Sequence, residues 1–108
     1  MAIAYKRLAA LRPADTSEAE LYEVPSSTQA VVTVSICNQD ASARTYSLAF
    51  TDTDGAAGGE DWLISDKPID AKDTHQISGI SMATGETIRV IASVANKLSF
   101  LAFGMEIS

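Results

Sequence analysis

The strongest pattern in the chain is a period-two alternation of apolar and polar side chains over residues 29–37, QAVVTVSIC. Val32, Val34 and Ile36 fall on one face, and Thr33, Ser35 and Cys37 on the other. Successive strand residues point to opposite sides of a sheet, so this alternation in largely β-branched residues predicts a half-buried strand. Ahead of it, residues 18–24 read as a second strand, with Leu21 and Ala19 inward and Tyr22 at the edge or on the other face. Pro25 stops that run and Ser26, Ser27 and Thr28 turn the chain. Downstream, Tyr46, Leu48 and Phe50 alternate over 44–50. The polar stretch 38–42 between the two runs predicts an antiparallel hairpin with a loop of about five residues.

Further along, residues 51–61, TDTDGAAGGED, predict a mobile surface loop. Trp62, Leu63 and Ile64 restart the apolar pattern, and Pro68 closes it. A short strand is expected around His75, Gln76 and Ile77, with Ile80 and Met82 carrying it on across Gly79. Residues 83–86 form a turn in which Gly85 can take positive φ. Residues 87–94 predict a strand with Ile88, Val90, Ala92 and Val94 on one face, and Arg89, Ile91 and Ser93 on the other. Asn96 and Lys97 signal a two-residue turn into the last strand, 98–107. That strand is apolar on both faces: Leu101, Phe103, Met105 and Ile107 on one, Leu98, Phe100 and Ala102 on the other. Such a strand is either central in a sandwich or covered by another chain. At the other end, residues 1–11 would tolerate a helix, but Pro13 and the β character of everything after it favour an extended strand.

Turn signals about every ten residues around short alternating runs define an all-β chain. The expected fold is an antiparallel β-sandwich or jelly roll of seven to eight strands. Residues 1–17 would form an N-terminal arm or edge strand, and residues 18–108 the sandwich domain.

Composition narrows the function classes. The chain has 108 residues, 46% of them hydrophobic, which suits one folded domain. Fourteen acidic against eight basic residues give a net charge of −6. This argues against nucleic acid and against an anionic membrane surface as partners, since both select basic faces. No apolar run approaches the ~18 residues of a membrane span. The first residues, MAIAYKRLAALRP, are broken by Lys6, Arg7 and Arg12, so they do not read as a signal peptide, and the protein is expected to be made and used without export.

Candidate chemistry is sparse. Cys37 is the sole cysteine, so an intrachain disulfide is excluded and a small buried hydrophobe is the expected role. Asp52-Thr53-Asp54-Gly55 resembles the middle of a calcium loop, but Phe50 stands where the first ligand is needed and Asp61 where a bidentate Glu should close it. A looser site from Asp52, Asp54, Glu60 and Asp61 is the alternative to a solvated acidic loop. His75 has too few companions for zinc, and Asp73, His75 and a serine lack the strained turn that exposes a nucleophile. The expectation is a protein that is not an enzyme and has no metal or cofactor.

One set of residues carries a resemblance. It comprises Tyr22, Val24 and Pro25; Val34, Ile36, Cys37 and Asn38; Pro68 and Ile69; Gly85, Glu86, Ile88 and Val90; and Gly104 and Glu106. Over roughly residues 20–107 the chain resembles small virion proteins and fibre-attached domains of tailed bacteriophages. The resemblance implies a structural β-sandwich located on the virion and made in the host cytoplasm. Its first implied role is a capsid decoration or cement protein that assembles with other virion proteins, capsid or tail subunits, and with itself, for instance as a trimer. A tail, neck, baseplate or fibre-associated component is the alternative. A carbohydrate-binding sandwich acting in host recognition is a third reading, although few aromatics are left for it once packing is satisfied. The residues expected at subunit contacts are Ile3 and Tyr5 in the arm, Trp62, and Leu101, Phe103 and Met105 in the last strand.

Overall fold

A computed structural model of the chain describes residues 2–52 and 56–108. Among the described residues eight strands occur: β1 (Ile3–Leu11), β2 (Ala19–Glu23), β3 (Gln29–Asn38), β4 (Arg44–Thr51), β5 (Trp62–Ile69), β6 (Thr74–Met82), β7 (Thr87–Ala92) and β8 (Leu98–Ile107). A single 3-10 turn, Gly59–Asp61, precedes β5. The strands build two four-stranded antiparallel sheets, ordered β1-β8-β3-β6 and β2-β7-β4-β5. β1 pairs with β8, β2 with β7, β3 with β6 and β4 with β5. The chain is thus one long hairpin wound up on itself, and β3·β8 and β4·β7 pairing closes each sheet. This is the jelly-roll form of the β-sandwich.

Burial explains the winding. Val32, Val34 and Ile36 of β3 and Leu98, Phe100 and Ala102 of β8 face inward, each no more than 1% exposed. They meet Tyr46 and Leu48 of β4 and Ile88, Val90 and Ala92 of β7 across a single apolar core. Each valine, leucine, isoleucine and phenylalanine among them contributes roughly 1.5–3 kcal/mol by leaving water. Tyr46 lies at the centre, edge-on to Phe100 with ring centroids 6.3 Å apart.

The expected β3–β4 hairpin does not form. β3 and β4 lie in different sheets. A hairpin would set their apolar faces side by side, whereas crossing between sheets sets them opposite each other, where both are covered. Residues 39–43 make this crossing, and Asn38 holds it. Its side chain is fully buried. Its amide nitrogen lies 3.0, 3.2 and 3.1 Å from the carbonyls of Ser42, Ile69 and Asp70, and its amide oxygen accepts from the Asp40 N–H at 3.0 Å. One side chain therefore ties the β3–β4 crossing to the β5–β6 crossing. Asp40 and Arg44 add a half-buried ion pair at 2.6 Å, and the hydrogen bond from Arg44 holds the Asp40 carboxyl below the usual carboxylate range.

Other expectations are corrected in detail. The Asn96-Lys97 signal is part of a 93–97 segment that crosses from β7 to the other sheet, and β7 ends at Ala92, so Val94 is not in a strand. Pro68 does not close the strand before it; β5 runs through it to Ile69. β5 is an edge strand of its sheet, where a missing N–H is tolerated. Tyr22 lies in the core at 7% exposure, because a register shift between Glu20 and Tyr22 lets both Leu21 and Tyr22 turn inward. Part of the 51–61 stretch is held rather than loose. Thr51 belongs to β4, Gly58 N–H donates to Asp61 Oδ2 at 2.7 Å, and Ala57 N–H donates to Glu18 Oε2 at 3.0 Å. Thr53, Asp54 and Gly55 lie outside the described residues.

Glycine is required at two places. Gly79 (φ +76) sits where β6 carries extra residues opposite Thr33 of β3, so the bulge uses a conformation that disfavours a side chain. Gly104 (φ +149) lies opposite Val32, and a Cβ there would overlap the carbonyl oxygen of Val31. Gly104→Ala should therefore force β8 away from β3 and lower the unfolding free energy by about 2–3 kcal/mol, read as a loss of denaturation midpoint at unchanged slope. Asn38→Ala should cost a similar amount, about 2–3 kcal/mol, since it leaves buried carbonyls without a donor. Asn38→Asp should cost at least as much, because a carboxylate cannot donate to them.

Candidate interaction surface

The outward side of the β1-β8-β3-β6 sheet follows from the register. Residues directly opposite one another in antiparallel strands share a face. Ile3, Ile107 and Gln29 form one row across β1, β8 and β3, and Tyr5, Met105 and Val31 form the next. Arg7, Phe103 and Thr33 follow, then Ala10, Leu101 and Ser35. The register shift in β1 between Arg7 and Ala9 changes which residues point outward, so Ala10 rather than Ala9 continues the face, and Leu8, Ala9 and Leu11 pack on the core. Toward β6 the rows end in polar residues, with Ser81 opposite Val31 and Gln76 opposite Ser35.

Five of the six residues expected at subunit contacts therefore lie together. Ile3, Tyr5, Leu101, Phe103 and Met105 share this face, with Tyr5 78% and Ile3 50% exposed. Trp62 does not join them. It pairs with Ala49 in the other sheet and is half-buried beside the Gly59–Asp61 turn. The structure adds Val31, 37% exposed, and Ile107 to the face. The signal for Val31 was present in the sequence: the period-two pattern extends backward from Thr33 through Val31 to Gln29 on the polar side of β3. Cys37 is on this same face and is half-buried rather than enclosed, since its side chain points away from the core.

Charge is distributed unevenly between the two outer faces. Among the described residues no aspartate or glutamate stands on the outward positions of the first sheet, and Arg7 is its one charged side chain. The outer side of the second sheet differs. Glu20 stands opposite Arg89, and Glu23 opposite Thr87. The Arg89 Nε–H also donates to Glu18, which holds the Ala57 N–H. That face is thus charged, and its 56–61 border is tied down over it.

His75 and Asp61, two of the candidate groups, are engaged within the fold. His75 Nδ1 is 2.9 Å from the Tyr46 hydroxyl, in a hydrogen bond whose direction follows the imidazole tautomer, and its Nε2 is 3.5 Å from Asp73. Among the described residues its side-chain partners are Tyr46 and Asp73, and neither is a serine. Among the described residues no group of three or more His, Cys, Asp or Glu lies close enough to hold a metal ion. Of the looser calcium set, Asp61 already accepts from Gly58 and Asp54 lies outside the described residues. At the Ile3–Ile107 end of the roll, Glu106 points inward between the sheets. Its carboxylate accepts from the Tyr22 hydroxyl at 2.5 Å and meets Lys6 at 3.4 Å.

No protein-family model matches the chain, and no curated protein matches it in sequence. Solved structures do. The coat protein of tobacco streak virus is similar with a TM-score of 0.52 at 8% identity, covering 94% of this chain and 85% of that chain. The fold is shared with a viral coat protein. At that identity the likeness concerns the fold alone. A structure of infectious bursal disease virus, Gx strain, gives a TM-score of 0.47 at 12% identity over 97% of this chain and 30% of that one, and carries no argument.

The Tyr22–Glu106 contact has a measurable pH signature. Burial, then the Glu106 hydrogen bond and charge, raise the Tyr22 pKa well above its ordinary 10. Burial raises that of Tyr46 as well. A raised folded-state value means that the contribution to stability is complete below pH 10 and is lost as pH climbs above it, because the unfolded chain ionises first. Denaturant unfolding followed from pH 8 to 12 should show a constant midpoint up to about 10 and a fall beyond. Tyr22→Phe should make that fall shallower.

Proposed function

We propose that this chain is a non-enzymatic structural component of a tailed-phage virion, and specifically a capsid decoration or cement protein. The observation that carries the reading is the acid-free outer face of the first sheet, apolar along β1 and β8, on an otherwise acidic jelly roll. A chain of net charge −6 that leaves Ile3, Tyr5, Val31 and the Leu101–Phe103–Met105 row outward has a surface suited to burial against protein. The likeness in fold to a plant-virus coat protein supports a role in a particle shell, and the resemblance of residues 20–107 to small virion proteins of tailed phages supports the tailed-phage setting.

On this reading the contact residues are Ile3, Tyr5, Leu101, Phe103 and Met105, extended by Val31 and Ile107. Trp62, on the opposite side of the roll, serves a second contact, as a protein seated among repeated shell subunits requires more than one. The catalytic reading receives no support from the His75 arrangement, in which the imidazole is engaged by a core tyrosine.

Mass spectrometry of purified virions should find the chain in many copies per particle. Virions assembled without it should rebind the purified protein saturably and regain resistance to heat. Absence of the chain from purified virions, with no binding to particles lacking it, overturns the proposal.

A further inference from the structure

The exposed sheet face raises the question of what covers it, and the distribution of size and charge across it points to an answer. We infer that the face is occupied by a second copy of this chain, packed sheet on sheet about a two-fold axis running parallel to the strands between β8 and β3. The inference rests on reading this face as a subunit contact, and goes further by naming the partner and the geometry.

Two observations select a second copy. The first is charge. Each copy carries −6, so two copies repel wherever their acidic surfaces approach. The outer face of the first sheet is the sheet face on which like carboxylates do not meet, and its Arg7 stands at the β1 edge, where it keeps access to water. A partner chosen for its basic surface would be drawn instead to the glutamates on the second sheet. The second observation is shape. Bulky side chains stand on the β1–β8 half of the face, in Tyr5, Leu101, Phe103 and Met105, whereas the β3–β6 half holds mainly small ones such as Thr33, Ser35 and Ser81. A two-fold axis along the strands between β8 and β3 places β1 and β8 of one copy over β6 and β3 of the other. Each bulky half then lies on a shallow half, twice over, as an isologous contact requires.

The area is of the right order. Four strands about 4.8 Å apart and ten residues long at about 3.4 Å each span roughly 650 Å². This is close to the ~800 Å² per partner of a standard stable interface. Packing two such faces at about 10 Å repeats the arrangement of the two sheets inside one copy.

The lone thiol supplies a native probe, because Cys37 lies on β3 within the contact. Sedimentation velocity of the purified chain over a hundredfold range of concentration should give a species of twice the 11.4 kDa mass. The rate of Cys37 labelling by a maleimide should fall as that species forms. Tyr5→Lys and Val31→Lys, both at exposed positions and so compatible with folding, should each weaken pairing by about tenfold or more and restore thiol labelling. Each also reduces the net negative charge, so a loss of pairing does not come from greater overall repulsion between the copies. Leu63→Lys, at an exposed position on the β5 edge, should change neither readout.

A trimer, or a dimer indifferent to Tyr5→Lys and Val31→Lys, overturns the inference. So does a wild-type monomer at every concentration. If that monomer nevertheless binds virions and loses binding on Tyr5→Lys, the face meets a different virion protein and the proposed function survives. If the dimer forms as described but the chain is absent from virions, the function fails and the two-fold contact stands.

Discussion

The roll is held at one end by a single buried amide. Asn38 closes β3, caps the crossing to β4 and reaches the carbonyls of Ile69 and Asp70 at the crossing from β5 to β6. Nearby, the backbone of Asn38 donates to Asp73 and that of Gln39 to Lys97, so a third crossing, from β7 to β8, joins the same knot. A buried polar group that is fully satisfied specifies its surroundings more sharply than an apolar one, because alternative packings leave it without partners. The apolar core would tolerate several ways of stacking two sheets. The Asn38 network selects one set of neighbouring loops, and hence one strand order.

β8 links that fold to the outer surface. It pairs on both sides, with β1 and β3, so its backbone is fully engaged and its two faces are sorted by what lies above and below. Leu98, Phe100 and Ala102 complete the interior, and Gly104 lets the strand approach β3 where a side chain would collide. The alternate residues are then obliged to face outward. Their being Leu, Phe, Met and Ile is not demanded by the fold, since Thr33 and Ser35 occupy equivalent positions on β3 without harm. Bulky apolar residues where polar ones would serve, together with the exclusion of carboxylates from the same rows, give the surface its character.

The strands were readable from the sequence because period-two alternation records the inside and outside of a sheet directly. Val32, Val34 and Ile36 and the two-faced pattern of residues 98–107 needed no further information. Pairing was less readable. A polar five-residue stretch such as 39–43 serves a hairpin or a crossing between sheets equally well, and its role is decided by the Asn38 side chain meeting residues more than thirty positions away. The inward position of Tyr22 and the outward position of Ala10 were hidden for a related reason: a one-residue bulge inverts the face of everything beyond it. The surface was partly visible. Leu101, Phe103 and Met105 declared themselves by apolarity on a second face, whereas grouping them with Ile3 and Tyr5, and separating them from Trp62, required the β1·β8 register.

The nested pairing also brings the two ends of the described chain together. Ala2 N–H donates to Ser108 at 2.7 Å and Ser108 N–H returns the bond at 2.8 Å, so residues more than a hundred positions apart are neighbours. Bringing together strands that are distant along the sequence is the slow, entropically costly part of assembling such a topology. A short linker between these ends, with the chain reopened at one of the crossings, would turn the most remote strand pair into a local hairpin. The rolled sheet would then zip outward from what is now its final seam.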